Sequence, residues 1–201
     1  ESKAVLTAQQ ENEGIKPSAF DNKNFGFRIG QGAALAVFES ERSIERLGVS
    51  PKAMMLGSYS ASEASTNAIG QLEDGSGYVK AMHGAMLQAK IVQSDIGIVK
   101  SHGTGTVSNN NAEKNALTKN LTNFVVTSYK QKIGHTMGSS GLLETLLLLD
   151  DIKKGIIPAI ENRTENDPVF LSEDVEVPKG LILSLAAGMG NIYSAAIFKG
   201  M

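Results

Sequence analysis

Two histidines, His102 and His135, each stand in a run of small residues where a backbone turn can present an imidazole without obstruction. The first lies in Val99-Lys100-Ser101-His102-Gly103-Thr104-Gly105-Thr106, just past an apolar run, and the second follows Gly134. A helix amino terminus disfavours imidazolium, and a neutral ring is a hydrogen-bond donor for a carbonyl oxygen that gathers negative charge. The pair therefore argues for carbonyl chemistry. Lys130 lies five residues before His135, and Glu144 is a single carboxylate in an otherwise leucine-lined stretch, where an unpaired charge is costly. Lys130 is its best candidate partner.

The residues alone leave alternatives open. Either histidine can be a turn residue bonded to backbone, and Lys130 with Glu144 fits a buried ion pair tying strand to helix as well as it fits a catalytic role. Zero cysteines exclude a disulfide, a thiolate metal site and a thiol nucleophile within this chain, and fit a reducing, cytoplasmic setting. A zinc site on His102 and His135 needs a third ligand. The remaining histidine, His83, has no histidine at helical spacing and is expected to face solvent. Gly26, Gly30 and Gly32 do not match the dinucleotide fingerprint, and no Gly-Lys-Ser/Thr follows a strand, so neither a cofactor nor a metal is expected.

The elements that must position these groups belong to 201 residues with 41% hydrophobic and 20% charged content, which describes one globular domain with a proper core. Nineteen basic against 21 acidic residues give a net charge of −2, without the footprint of a nucleic-acid or anionic-membrane binder. The chain opens on Glu1 with no charged region leading into an apolar one, which suggests a processed or excised product without a secretory signal. Gly141 to Ile157 is apolar but interrupted by Glu144, Asp150, Asp151, Lys153 and Lys154, so it reads as a core helix rather than a membrane span.

Periodicity places one long strand over Phe25 to Glu39, a short helix from Glu39 to Leu47 ended by Gly48, and a strand from Ala53 to Ala61. A glycine-punctuated loop then runs from Gly70 to Gly77, a helix from Tyr78 to Val92, and a buried strand from Ile96 to Val99. Asn110, with Glu113 three residues on, reads as the N-cap of a helix reaching Leu117. Phe124 to Thr127 is a strand, Gly138 to Lys154 a long helix, and Leu181 to Leu185 and Ile192 to Phe198 are strands joined by a glycine-rich turn. The polar stretch from Glu161 to Pro178 reads as a surface excursion, and Met54, Met55, Met82 and Met86 as core filling. Strands alternating with helices imply an α/β fold, a mixed and mostly parallel sheet with helices packed on its faces and sites at the carboxyl ends of strands.

His102-Gly103-Thr104-Gly105-Thr106, followed by Asn109 and Glu113, resembles the HGTGT turn of the β-ketoacyl synthases. Ser128 to Gly141 with Glu144 is similar to that family's lysine-to-Gly-His block. Phe20-Asp21, Gly26-Phe27 and Gly30-Gln31-Gly32-Ala33 resemble its entry strand, and Ala81-Met82 with Ala85 and Ala89 its next helix. Four blocks in order make chance a poor explanation.

The resemblance is to the carboxyl-terminal half alone. It implies one thiolase-like half, residues 1–201, with the nucleophilic cysteine in an amino-terminal half or partner subunit and no activity for this chain by itself. The reaction implied is an acyltransferase's decarboxylative Claisen condensation of acyl and malonyl thioesters on acyl carrier protein, in fatty acid or polyketide-type biosynthesis, by a protein that is dimeric when whole. In that picture His102 and His135 donate to the malonyl thioester oxygen, while Lys130 and Glu144 support them, along with Thr104 and Thr106 of the turn. Ser184 to Asn191 departs from the family's pattern: Ala187 stands in place of the aromatic residue that gates the acyl pocket, followed by Met189. The backbone N–H of Ala187 is still able to serve the acyl oxyanion. The alternative is a non-catalytic, chain-length-factor-like partner of a condensing enzyme.

Overall fold

Strong local signals fix most element ends in the computed structural model, which describes residues 5–63 and 71–201. Glu1, and Gly70 at the head of the expected glycine loop, lie outside the described residues. Helix α1 (Ala8–Asn12) starts from a Thr7–Gln10 capping box, and α2 (Glu41–Leu47) from Ser40; α2 ends at Gly48, whose φ of 62° is the left-handed conformation that glycine takes without strain. There follow β1 (Ala53–Ser62), α3 (Ser76–Ala89), β2 (Ile96–Lys100), α4 (Val107–Asn120), β3 (Val125–Thr127), the single turn α5 (Lys130–Ile133) and α6 (Ser140–Lys153). The chain finishes with β4 (Ile156–Ile157), β5 (Val175–Glu176), β6 (Leu181–Gly188) and β7 (Ile192–Gly200).

Five strands form one mixed sheet in the order β1-β7-β6-β2-β3, and β4 pairs with β5 apart from it. Strands β6, β2 and β3 run parallel, β2 and β3 being joined through α4; β7 turns back on β6 as a hairpin and β1 adds antiparallel to β7. Strand β2 is buried at every residue, as its unbroken apolar run requires of a parallel strand covered on both faces.

Alternation along β6 and β7 assigns the two faces. Leu183, Leu185, Tyr193, Ala195 and Ile197 join the core that α3 and α4 build with Tyr78, Met82, Ala112 and Leu117. Ile182 and Phe198 turn the other way, against Leu148 and Leu149 of α6. Helices thus cover both faces of the sheet, and the turns after β2 and β3 emerge between them.

Several expectations need correction. No strand spans 25–39: the segment makes isolated bridges only at Phe27, with Val5, and Ile29, with His135. Its apolar residues Leu35, Val37 and Phe38 are 81%, 73% and 70% exposed, because no described strand lies alongside to complete a ladder. The α4 N-cap is Thr106, not Asn110; its hydroxyl accepts from the Asn109 N–H at 3.3 Å, while Glu113 points inward. Helix α6 begins at Ser140 after a 3₁₀ turn over Met137–Ser139, and β6 runs on to Gly188, placing Ala187 in the ladder opposite Tyr193 rather than in a turn. Met55 is exposed, whereas Met82 and Met86 fill core. The 161–178 excursion is anchored by buried Phe170, Leu171 and Arg163.

Candidate active site

The turn after β2 is held by its own backbone donors. Both Glu113 carboxylate oxygens face it, accepting from the N–H of His102 (2.6 Å) and of Gly103 (3.0 Å). Asn109 accepts from the Thr104 N–H and hydroxyl, each at 2.9 Å, and its amide donates to the Tyr78 hydroxyl at 2.8 Å. The Thr104 and Thr106 hydroxyls lie 3.4 Å apart. Gly103 and Gly105 have φ of 57° and 73°, and a side chain at Gly105 would run into the backbone of Ser18 and Gly26. These contacts fix the backbone from which the His102 ring projects.

His135 is presented by a second close approach. Its N–H donates to the Arg28 carbonyl (2.7 Å), and its carbonyl accepts from the Gly30 N–H (3.0 Å). Gly30 and Gly134 pack backbone to backbone, with no room for a Cβ on either. The Met137 N–H donates to His135 Nδ1 at 3.1 Å, so that nitrogen is an acceptor and the ring proton sits on Nε2. The two imidazole centroids are 5.9 Å apart with ring planes at 80°, and the Phe27 ring packs edge-on against His135 at 5.0 Å.

Behind the rings lies a buried charge cluster. Lys130 Nζ donates to the His102 carbonyl (2.5 Å) and to Glu144 Oε1 and Oε2 (2.8 and 3.1 Å). Glu144 Oε2 also takes Lys100 Nζ at 3.2 Å, and Oε1 takes the Ser140 hydroxyl at 2.7 Å. Lys100 reaches the Leu185 carbonyl at 2.6 Å. Glu144 and Lys100 are wholly buried, and Lys130 nearly so.

Burial, reinforced by the Lys130 and Lys100 ammonium groups, holds the His102 imidazole well below its usual range and His135 down to about 4. Both rings stay neutral donors at physiological pH. Burial also lowers Lys130 to about 8 against the pull of Glu144. Glu144 itself is pushed up by burial but held low on balance by Lys100 and Lys130.

A stability profile follows with a definite sign. An unfolded histidine takes up a proton near pH 6.5, whereas folded His135 resists until about 4, so the unfolded state binds more protons between those values. Stability therefore falls as pH drops through that window, by at most about 1.4 kcal/mol per pH unit for each imidazole. Denaturant titrations of the parent and of His135→Gln across pH 4–7 check this; equal slopes would contradict it.

The structure thus brings together His102, His135, Lys130 and Glu144, with Thr104 and Thr106 in the turn below. Ala187 stands on β6 opposite Tyr193, two residues beyond the Leu185 carbonyl that Lys100 holds. His83 is exposed on α3, as expected. Sequence reasoning missed Lys100 as a member of the cluster and Glu113 as the clamp on the His102 turn. A signal for Lys100 was present: a lysine closing the apolar run Ile96 to Val99 directly before the turn. Two neutral N–H donors at this separation can converge on one developing oxyanion, with burial first and the nearby cations second in keeping both from protonating.

A mixed α/β sheet flanked by helices, with paired imidazoles at the turns beyond β2 and β3 and a Lys–Glu–Lys cluster behind them, is the thiolase-like architecture that the sequence resemblance implies. A family model described as the β-ketoacyl synthase C-terminal domain matches residues 52–164, and the chain belongs to the β-ketoacyl synthase family. It is 31% identical over 187 residues to the ketoacyl synthase alpha subunit of the tetracenomycin polyketide synthase of Streptomyces glaucescens, covering 89% of this chain and 44% of that protein. It is 26% identical over 204 residues to the putative β-ketoacyl synthase 1 of the actinorhodin polyketide in Streptomyces coelicolor, covering 97% and 44%. The chain therefore spans less than half the length of these relatives.

Among solved structures, a β-ketoacyl synthase from Burkholderia phymatum superposes with a TM-score of 0.87 at 25% identity, over 98% of this chain and 50% of that one. A type II polyketide ketosynthase in complex with its acyl carrier protein and bound to a hexaketide gives 0.89 at 22% identity, over 98% and 50%. The ishigamide ketosynthase/chain length factor gives 0.85 at 24% identity, over 98% and 49%. Among the described residues no helix is long and apolar enough to cross a membrane.

Proposed function

We propose that this chain is the carboxyl-terminal half of a condensing enzyme that elongates polyketide-type acyl chains in the cytoplasm. In the whole protein, a cysteine from an amino-terminal half or a partner subunit carries the acyl group, and acyl carrier protein delivers a malonyl thioester. The bond between the malonyl methylene and its carboxylate breaks, carbon dioxide leaves, and the electron pair forms an enolate. His102 and His135 donate their ring N–H groups to the enolate oxygen. Each preorganised donor of this kind is worth roughly 3–4 kcal/mol. The enolate carbon then attacks the acyl thioester, with its oxyanion at the Ala187 N–H, and the cysteine thiolate departs. Lys130 and Glu144 hold the His102 backbone and set the field around both rings.

The observation that carries this reading is the pair of imidazoles, His102 buried and His135 half-buried, held neutral 5.9 Å apart. The homologous alpha subunit and the acyl carrier protein complex of a structural neighbour support the substrate class. A second reading rests on Ala187, which replaces the aromatic gate, and on the chain-length-factor neighbour: a non-catalytic partner subunit that shapes the acyl tunnel.

Carbon dioxide release from malonyl-loaded acyl carrier protein decides between them. The whole protein carrying this domain is expected to release it without an acyl primer. A protein that releases none, and has no cysteine labelled by an acyl donor, is the partner subunit instead.

A further inference from the structure

Lys100 is the one wholly buried cation of the site that the reaction scheme leaves without a task. It closes β2, and the β2–β6 ladder ends at its pairing with Ser184. Its ammonium then reaches onward, to the Leu185 carbonyl on β6 at 2.6 Å and to Glu144 Oε2 on α6 at 3.2 Å. Glu144 in turn binds Lys130, whose other bond is to the His102 carbonyl, while the Leu185 carbonyl lies two residues before Ala187. One ammonium therefore stands between the groups assigned to the malonyl step and the strand that carries the acyl oxyanion donor.

We propose that Lys100 is a positioning residue that acts as a tethered monovalent cation, locking β6 at Leu185 to Glu144 and so keeping the malonyl and acyl halves of the site in register. The inference rests on the condensing reading above. The charge count supports it: Lys130 alone already balances Glu144, so a second ammonium is not needed to neutralise the carboxylate. Its second bond goes to β6 at the Leu185 carbonyl, whereas the main-chain bond of Lys130 goes to His102. It also adds to the field on both rings. The charged groups facing His135 are Lys130, Glu144 and Lys100; those facing His102 are Lys130 and Lys100, with the titratable His135 ring beside them.

Two variants of the whole protein test this. Lys100→Met leaves Glu144 and Lys130 paired one to one, so the fold is expected to survive; Lys100→Ala opens a cavity faced by a carboxylate oxygen and a carbonyl. In Lys100→Met the proton NMR titration midpoint of His135 moves upward from about 4. Carbon dioxide release and condensation both fall by about 10- to 100-fold, the usual loss when a supporting group is removed, with KM for the malonyl carrier unchanged. In Lys100→Ala, millimolar ammonium or methylammonium restores rate and midpoint, while tetramethylammonium, without N–H donors, does not. A His135 midpoint that stays put, or a lowered melting temperature with no amine rescue, overturns the proposal by leaving Lys100 a purely structural residue. If the parent protein releases no carbon dioxide at all, the condensing reading fails, and the imidazole titration with its amine rescue still decides the role of Lys100.

Discussion

Replacing His135 by alanine in the whole protein is expected to cut malonyl decarboxylation by about 10²–10³-fold while acyl transfer to the cysteine stays measurable. The split follows from geometry. The Nε2 proton of His135 is free to bond substrate because Nδ1 is already occupied by the Met137 N–H. Its backbone is held by Arg28 and Gly30, so truncating the side chain removes a donor without freeing the loop. An oxyanion donor acts only where charge develops, and in this scheme that is the malonyl oxygen. His102→Ala should behave similarly, since its backbone is held independently by Glu113 and Lys130. Single-turnover measurements of carbon dioxide release and of cysteine acylation separate the two steps. If neither step slows, the histidine assignment falls.

The second large effect is on stability. Glu144→Leu removes the one carboxylate that, among the described residues, bonds Lys130 and Lys100, leaving two buried ammonium groups with the His102 and Leu185 carbonyls as partners. Breaking a buried pair by deleting one partner typically costs about 3–5 kcal/mol, because the orphaned charge keeps its desolvation penalty. We expect a loss at least that large here, since two cations are orphaned rather than one. Glu144→Leu combined with Lys100→Met and Lys130→Met should regain much of the loss, as apolar replacements of whole buried ion clusters often do. Chemical denaturation of the parent, the single variant and the triple variant checks both statements; a change below about 1 kcal/mol in Glu144→Leu would show that the cluster is wetter than its burial indicates.

The same contrast shows how far residues speak for themselves. Strand β2, helix α3 and the β6–β7 hairpin were legible because burial on both faces, helical spacing and glycine turns leave local marks. The segment 25–39 misled for the same reason: its alternation is that of a strand, but pairing needs a neighbour, and among the described residues its contacts are isolated bridges. Asn110 offered a good capping side chain, yet Thr106 took the role because Glu113, its presumed partner, is drawn inward by the free N–H groups of the His102 turn.

The sequence by itself determined the chemistry on offer: two histidines in glycine-bearing turns, a lysine and a lone glutamate obliged to pair, and no cysteine in the chain. Residue type and spacing fix which groups exist and which of them are too costly to bury alone. The tertiary structure decided what those groups became. It set the imidazoles 5.9 Å apart, chose the tautomer of His135 through a backbone N–H two residues on, and brought Lys100 across from β2 to share Glu144 with Lys130. Distances between turns that follow different strands, and the field that keeps a ring neutral, depend on how the strands order in the sheet and on which helix covers them, and neither leaves a local trace in the chain.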